Sequence, residues 1–258
     1  MGDDTRALDE RDPLKRFTAR AQSYAAFRPS YPPGLIDAVL EGLGEPAALR
    51  IADIGAGTGI SARLLADRGS LVYAVEPNAA MRNAASAHER VLAVDGTAER
   101  TGLADASVDL VTAFQAYHWF DPEPTQREFA RVLVPGGRVA LVWNVRDDSD
   151  PFTGEYGELI RAAAVDREVE RRHGAVESFL RDARFTNGRR LEVVNFQRLD
   201  LAGLSGRVES TSYVPHAGPI YERLLAGIRR LHARYADREG YVALAYRAQA
   251  TLGETAPR

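Results

Sequence analysis

Residues 51–61 read Ile-Ala-Asp-Ile-Gly-Ala-Gly-Thr-Gly-Ile-Ser. The apolar run 49–54 predicts a buried strand, and the residues from Ser61 onward predict the first turns of a helix. Three glycines at alternate positions lie between the two elements. Glycine lets backbone approach a ligand with no Cβ in the way, and a helix N-terminus offers unpaired N–H groups. A strand, a glycine turn and a helix in this order predict a site for a nucleotide-like ligand.

The spacing of the glycines distinguishes between cofactors. A dinucleotide site has the pattern G-x-G-x-x-G, and counted from Gly55 its third glycine would fall at Ile60. The chain instead has Asp-x-Gly-x-Gly-x-Gly from Asp53, which resembles the first motif of class I S-adenosylmethionine (SAM)-dependent methyltransferases. The resemblance implies that Asp53 lies near the methionine end of SAM. It also implies a cofactor-binding loop under the adenosine, formed by Gly55, Ala56, Gly57, Thr58 and Gly59.

An acidic residue follows the next predicted strand, 71–75. Glu76 comes 21 residues after Gly55, and an acid at this distance from a glycine loop can accept hydrogen bonds from both ribose hydroxyls. An ordinary turn residue is the alternative interpretation. Pro77 then begins a helix containing Met81, and the resemblance implies that both contact the cofactor, although Met81 could equally fill the core.

A second acid follows a third predicted strand, 90–94. Asp95 accepts but does not donate hydrogen bonds when it is ionised, which suits an amine donor. In the resembling family the acid at this point binds the adenine amino group, and the next residues, here Gly96, Thr97 and Ala98, clamp the ring. A plain turn is the alternative.

The fourth predicted strand, 108–113, ends in Phe-Gln-Ala-Tyr-His-Trp-Phe at 114–120. In open α/β sheets the ligand lies beyond the carboxyl ends of the strands, so these residues should border the acceptor. The segment lacks the Asn/Asp-Pro-Pro-Tyr/Phe of nucleic-acid amine methyltransferases and resembles small-molecule enzymes instead. The backbone of Gln115 is expected to contact the cofactor. His118 is a candidate catalytic base, or a structural residue that shapes the acceptor pocket with Trp119.

The segment Arg28-Pro-Ser-Tyr31-Pro follows a predicted helix, 12–27. It resembles the N-terminal segment of a subgroup of small-molecule methyltransferases, where it lies near the mouth of the SAM pocket. The resemblance makes Tyr24, Arg28 and Tyr31 candidate lid or acceptor-binding residues. Packing of the aromatic side chains against the core, and a surface position for Arg28, are the alternatives.

Two further acceptor-binding candidates come from the second half of the chain. Asn144 follows the fifth predicted strand, 138–143, which is preceded by an expected tight turn at 135–137. Tyr213 lies in a Ser-x-Ser-Tyr segment that resembles the same subgroup, within a predicted loop or short helix at 204–215. Further on, strands are predicted over 191–201 and 241–249 and a helix over 219–235.

The composition limits the function classes. The chain has 258 residues, 45% of them hydrophobic and 27% charged, with a net charge of −3. This balance is ordinary for a globular protein and argues against a dedicated nucleic-acid binder. No cysteine is present, which excludes disulfides and thiolate chemistry. We expect no bound metal, no membrane span and a cytoplasmic location; the oligomeric state is not predicted.

These patterns together predict an α/β protein with a Rossmann-like, seven-stranded, mostly parallel sheet, helices on both faces and an antiparallel C-terminal hairpin. The expected divisions are an N-terminal helical lid (1–45), a SAM-binding core (46–148), a helical cap insertion (149–190) and the C-terminal part of the fold (191–258). The resemblance implies methyl transfer from SAM to an O, N or C nucleophile of a small molecule, leaving S-adenosylhomocysteine. Two alternatives stay open: a non-methylating SAM enzyme such as a cyclase, and a non-catalytic SAM-binding module. The glycine spacing disfavours an NAD oxidoreductase.

Overall fold

The computed structural model describes residues 27–164, 175–211 and 213–256. The predicted helix at 12–27, including Tyr24, therefore lies almost entirely outside the described residues. The helices are α1 (Pro33–Leu40), α2 (Ile60–Ala66), α3 (Ala79–Ala84), α4 (Pro122–Val132), α5 (Pro151–Ala163), α6 (Ala175–Leu180), α7 (Leu201–Glu209) and α8 (Gly218–Tyr235). The strands are β1 (Arg50–Ile54), β2 (Leu71–Val75), β3 (Val91–Val94), β4 (Val108–Phe114), β5 (Leu133–Arg146), β6 (Phe185–Leu199) and β7 (Val242–Thr255).

The strands form one seven-stranded sheet in the order β3-β2-β1-β4-β5-β7-β6. The first five strands are parallel, and β7 pairs antiparallel with both β5 and β6. This confirms the predicted fold class. The strand order reverses at β1, which lies between β2 and β4. Ligands of open α/β sheets bind beyond the carboxyl ends of the strands at such a switch point, so the fold directs attention to the loops after β1 and β4.

Apolar side chains cover both faces of the sheet. On one face, buried residues of α1 and α2 such as Ile36 and Leu65 pack on the strands. On the other face, Phe129 of α4 and Phe179 of α6 do the same. Burial on both sides explains why the central strands are almost continuously apolar.

A third apolar cluster joins α5, α7 and α8 at one end of the sheet. It includes Tyr156, Leu204 and Ile228, together with Tyr246 near the start of β7. Because β7 runs antiparallel to β5, the start of β7 lies beside the carboxyl end of β5, and the pair Arg146 and Tyr246 is in register. This helical layer therefore borders the ligand-binding edge of the sheet.

The expected tight turn at 135–137 is instead a bulge inside β5. Val108 of β4 pairs with Leu133 and Leu110 pairs with Arg138, so the residues between them on β5 are extra. A Cβ on Gly137 would lie 2.8 Å from the carbonyl oxygen of Val134, which only glycine avoids. The strand hence starts before the Pro-Gly-Gly sequence rather than after it.

The second half of the chain differs most from the expected boundaries. Strand β6 begins at Phe185, inside the stretch 149–190 expected to form a helical cap, and β7 continues to Thr255. β6 is an edge strand with many polar, exposed residues, so it lacks the apolar pattern that identifies a buried strand. Helix α7 occupies much of the predicted loop, and the Asp200 side chain caps it by accepting from the Gly203 N–H.

Within the described residues, no helix is both long enough and apolar enough to cross a membrane. The same residues contain no group of three or more His, Asp or Glu side chains placed to hold a metal ion.

Candidate functional site

Asp53 lies beneath the glycine loop and is fully buried. Its carboxylate accepts hydrogen bonds from the Ser61 hydroxyl at 2.6 Å and the Thr112 hydroxyl at 2.8 Å. Burial raises the pKa of Asp53 to about 6, against the lowering effect of these hydrogen bonds. Asp53 therefore ties β1, β4 and the start of α2 together under the loop. Direct contact between Asp53 and a cofactor remains a prediction.

The glycine loop bends in a conformation that favours glycine. Gly55, Gly57 and Gly59 all have positive φ angles, of 67°, 57° and 73°. A Cβ on Gly55 would lie 2.7 Å from the Ala116 Cβ, and one on Gly57 would lie 3.2 Å from the terminal methyl group of Met81. Met81 is 4% exposed and packs under the loop, so its position supports the loop from below.

Glu76 holds the loop through its carboxylate. One oxygen accepts from the Gly57 N–H at 2.9 Å, and the other accepts from the Asn78 N–H at 2.9 Å. Burial raises the pKa of Glu76, while these two N–H groups act in the opposite direction. A carboxylate has about four acceptor positions, so Glu76 can accept further hydrogen bonds from a ligand. The structure thus places Glu76 against the glycine loop, and its binding of ribose hydroxyls remains a prediction.

A cavity of about 430 Å³, including its open mouth, adjoins the loop. Its walls come from the N-terminal segment, the glycine loop and the end of β4. The lining residues are Arg28, Pro29, Tyr31, Gly55, Ala56, Gly57, Thr58, Ile60, Ser61, Phe114 and Gln115. The hydroxyl of Thr58 is buried and has no hydrogen-bond partner in the part of the chain that the structure describes. Gln115 has a φ of 54°, which is uncommon for a residue other than glycine.

The predicted adenine-binding residues lie in a separate loop. Asp95 is 73% exposed, and its carboxylate contacts Arg82 at 3.1 Å. The same Arg82 nitrogen donates to the Glu76 carbonyl at 2.6 Å, so Arg82 links the two acids. Gly96 is required by packing, because a Cβ there would lie 2.6 Å from the Thr101 carbonyl oxygen.

Thr97, Ala98 and Pro77 complete this part of the predicted site. The Thr97 backbone exchanges hydrogen bonds with Arg100, which forms a turn, and Ala98 is buried in the core. Pro77 precedes Asn78, whose side chain caps α3 by accepting from the N–H groups of Ala80 and Met81. The adenine-binding role of these residues remains a prediction.

His118 lies in a short 3₁₀ helix, Tyr117–Trp119, after β4. The Trp143 Nε1–H donates to His118 Nδ1 at 3.5 Å, and the His118 ring packs on Trp119 with centroids 4.9 Å apart. A neutral histidine that accepts at Nδ1 carries its proton on Nε2, where it is a donor rather than a base. Neither His118 nor Trp119 lines the cavity beside the glycine loop.

Three side-chain amides fasten the N-terminal segment to the sheet. Asn144 donates to the Ser30 carbonyl at 3.1 Å, and Asn195 donates to the same oxygen at 2.8 Å. Gln197 donates to the Phe27 carbonyl at 3.0 Å. We call these three contacts the amide clamp. The predicted acceptor residue Asn144 therefore positions residues 27–30, and Arg28 among them, at the cavity.

Tyr213 belongs to a polar cluster that the sequence did not reveal. Its hydroxyl lies 3.5 Å from Arg146 at the end of β5. The Arg207 Nε–H donates to the Tyr246 hydroxyl at 3.4 Å, and the Tyr156 ring lies close to both arginines. We call Arg146, Tyr156, Arg207, Tyr213 and Tyr246 the arginine–tyrosine cluster. Among its members only Tyr213 was predicted, and the position of Arg146 at the end of β5 was the one signal available.

Comparison with known proteins supports the resemblance seen in the sequence. Residues 52–141 match the family model of a methyltransferase domain. An uncharacterised methyltransferase of Mycobacterium tuberculosis is 44% identical over 151 residues, which are 58% of this chain and 60% of that protein. An uncharacterised methyltransferase of Schizosaccharomyces pombe is 28% identical over 72% of this chain and 77% of its own length. The chain spans about 60% of the length of the first of these relatives.

A solved structure shares the architecture over most of the chain. It comes from Anaeromyxobacter dehalogenans and is provisionally described as a type II methyltransferase. It is 28% identical, covers 90% of this chain and all of its own chain, and superposes with a TM-score of 0.67. The resemblance to class I SAM-dependent methyltransferases is confirmed, and with it the Rossmann-like fold and SAM as the cofactor of this family.

Proposed function

We propose that this chain, whose residues 52–141 belong to the methyltransferase domain family, transfers a methyl group from SAM to a nucleophile of a small-molecule acceptor. The observation that carries the proposal is the cavity between the glycine loop and the segment 28–31. It lies at the switch point of the sheet, where ligands of this architecture bind.

Observations at the loop fit a bound SAM. The buried Thr58 hydroxyl lacks a protein partner within the described residues and lies at the cavity wall, so it suits a polar atom of the ligand. Glu76 is fixed by two backbone N–H groups and retains acceptor capacity for the ribose hydroxyls. The proposed cofactor residues further include Gln115 at the opposite wall of the cavity.

When it is bound, SAM supplies a methyl group whose carbon is attacked by the acceptor while the electron pair of the C–S bond stays on sulfur. The protein contributes alignment and exclusion of water, because a methyl on a sulfonium is already activated. Tyr31 packs edge-on against Phe114 with centroids 4.7 Å apart, which closes one wall of the cavity with aromatic surface. Arg28, on the same segment, also lines the cavity.

A role for His118 as a base has a specific requirement. The ring must release the Trp143 N–H before Nε2 can accept a proton from an acceptor. Its place beside Trp119 after β4 keeps it a candidate wall of the acceptor pocket. A nucleophile that is already ionised needs no protein base.

The test combines binding with product analysis. Calorimetry should show that SAM and S-adenosylhomocysteine bind and that NAD does not. Incubation with methyl-labelled SAM and a panel of small acids, amines, phenols and carbon nucleophiles should transfer the label, as read by mass spectrometry. Binding of NAD without binding of SAM would overturn the proposal. Turnover of SAM with no methylated product would indicate a different SAM-dependent reaction, and binding with no turnover a non-catalytic module.

A further inference from the structure

The arginine–tyrosine cluster is buried at the carboxyl end of β5. Arg207 of α7 is 6% exposed, and Tyr156 of α5 and Tyr246 of β7 are 0% and 1% exposed. Arg146 is partly buried and lies close enough to Arg207 for the two positive charges to repel each other. A guanidinium group as deeply buried as that of Arg207 is unfavourable unless negative charge accompanies it.

The partners of Arg207 are all neutral. Its guanidinium donates to the Tyr246 hydroxyl at 3.4 Å, the Ser210 hydroxyl at 3.0 Å and the Thr211 hydroxyl at 3.2 Å. Within residues 27–164, 175–211 and 213–256, no carboxylate forms an ion pair with it. Arginine stays protonated in proteins, so Arg207 is a buried cation without a protein counter-ion there.

Tyr156 adds a second unsatisfied group at the same place. Its hydroxyl is buried and has no hydrogen-bond partner among the described residues. Burial raises the pKa of Tyr156 to about 12, so the hydroxyl keeps its proton at neutral pH and can donate it in a hydrogen bond. A buried cation and an unused hydroxyl donor beside each other both call for the same partner, an anionic oxygen.

The cluster is connected to the proposed methyl-transfer cavity. Arg28, which lines that cavity, donates to the Ser210 carbonyl at 2.9 Å, and Arg207 donates to the hydroxyl of the same serine. Strand β5 also runs beside the cavity, because the cavity residue Phe114 at the end of β4 pairs with Val142, four residues before Arg146. The cluster is therefore joined to the cavity wall through Arg28 and Ser210.

We propose that the methyl acceptor is an oxyanion, a small molecule with a carboxylate or phosphate group that the arginine–tyrosine cluster binds. This inference rests on the proposed methyltransferase function and names the class of its acceptor. The anionic oxygens accept from Arg146, Arg207 and the Tyr156 hydroxyl. Neutralising the Arg207 guanidinium supplies the counter-charge that its hydroxyl partners do not provide, so binding also stabilises the packing of α7 on the start of β7.

The experiment is calorimetry on the full chain saturated with S-adenosylhomocysteine. The probes are matched pairs: succinate against succinamide, benzoate against benzamide, and phenyl phosphate against phenol. The acids should bind measurably and their neutral counterparts should not. Comparing the carboxylate pairs with the phosphate pair shows which oxyanion the site prefers.

Two variants tie that binding to the cluster. Tyr156→Phe removes only the unused hydroxyl and should weaken acid binding about tenfold, as expected for one hydrogen bond to a charged group. Arg146→Gln keeps the first methylene groups of the side chain and removes its charge. It should weaken acid binding by more than about tenfold. The control is Arg161→Gln on α5, whose side chain pairs with Asp148 and not with the cluster.

The outcomes separate this inference from the proposed function. If the unaltered chain does not bind S-adenosylhomocysteine, the proposed function itself is overturned. Normal binding of S-adenosylhomocysteine together with equal binding of acids and neutral analogues, or no binding of any acid, would overturn the oxyanion acceptor alone. Acid binding that is unchanged in both Tyr156→Phe and Arg146→Gln would likewise overturn the assignment to this cluster.

Discussion

The region proposed to bind the cofactor and the region proposed to bind the acceptor, here called the cofactor half and the acceptor half, are built in different ways. The cofactor half consists of the glycine loop and Glu76, which lie 21 residues apart and follow neighbouring parallel strands. The acceptor half gathers Arg28, Arg146, Tyr156, Arg207 and Tyr246 from five separate places in the chain. One half is therefore a local motif, whereas the other exists only after the whole sheet has formed.

The two halves also differ in how completely the protein satisfies them. The Asp53 and Glu76 carboxylates each accept at least two hydrogen bonds from the chain itself. In the acceptor half, Arg207 is buried among neutral partners and the Tyr156 hydroxyl has no partner among the described residues. A preorganised cofactor site and an incompletely satisfied acceptor site suit an enzyme whose cofactor is constant while its acceptor completes the site.

The largest expected effect belongs to the cofactor half. Glu76→Ala should weaken S-adenosylhomocysteine binding by about 4 kcal/mol. The two proposed hydrogen bonds from the ribose hydroxyls to the charged carboxylate are lost, at about 2 kcal/mol each. Glu76→Gln should lose less, since one acceptor oxygen remains. Calorimetry measures both, with the exposed Glu89→Ala as the matched control. Unchanged affinity in Glu76→Ala would remove the ribose assignment.

The second effect is a dependence of stability on pH. The pKa of Asp53 is raised from 3.8 to about 6, so between these values the folded chain holds a proton that the unfolded chain has lost. Asp53 therefore favours folding at low pH, and this contribution falls by about 3 kcal/mol as pH rises from about 4 to beyond 6.

Asp53→Asn should remove that dependence. Urea unfolding at several pH values between 4.5 and 7.5 should give a flatter profile for Asp53→Asn than for the unaltered chain. The exposed Asp37→Asn serves as the control, because its side chain lies at the surface beside Arg68. Parallel profiles for Asp53→Asn and the unaltered chain would show that Asp53 is ionised throughout this range.

The third effect contrasts stability with binding in the acceptor half. Arg207→Met should raise the free energy of unfolding of the ligand-free chain by about 1–2 kcal/mol, since it replaces a buried cation with an apolar chain of similar length. Ser210 and Thr211 still donate to the carbonyl of residue 207, and the Tyr246 hydroxyl still donates to Gln197, so no hydroxyl is left without a partner. The same variant should lose acid binding. A strong loss of stability with normal acid binding would identify Arg207 as structural.

The smallest effect concerns two tyrosine hydroxyls. Tyr156→Phe should leave the free energy of unfolding unchanged to within about 0.5 kcal/mol, because its hydroxyl forms no hydrogen bond to lose. Tyr235→Phe should cost about 1 kcal/mol, because that hydroxyl donates to Glu155 at 2.8 Å. Calorimetric unfolding compares the pair. A greater loss in Tyr156→Phe than in Tyr235→Phe would mean that the hydroxyl of Tyr156 has a partner in solution.

The sequence predicted what is local. β1, the glycine loop, β2 and Glu76 follow from apolar runs and from one spacing, and the structure has them within a residue of the expected positions. β6 begins earlier than expected, because an exposed edge strand carries polar residues on both faces. The bulge at 134–137 was missed because a Pro-Gly-Gly sequence fits a turn and a bulge equally well.

The residues of the acceptor half could not be predicted from the sequence, because their proximity depends on tertiary packing. Arg207 lies on a helix in a stretch expected as a loop or short helix, and nothing in its neighbours shows that it is buried. Its proximity to Arg146 and Tyr156 depends on how α5 and α7 pack on the start of β7. The contact of His118 was equally hidden from the sequence. Its hydrogen bond joins the segment after β4 to Trp143 on β5, and these are distant in the chain.

The amide clamp has a thermodynamic consequence. It holds Phe27 and Ser30, on either side of Arg28, while Arg28 itself lines the cofactor cavity and binds Ser210 beside Arg207. A ligand that orders Arg28 in one half orders the same residue for the other half. If Arg28 contacts both proposed ligands, SAM and the acceptor must each raise the affinity of the other by the same factor.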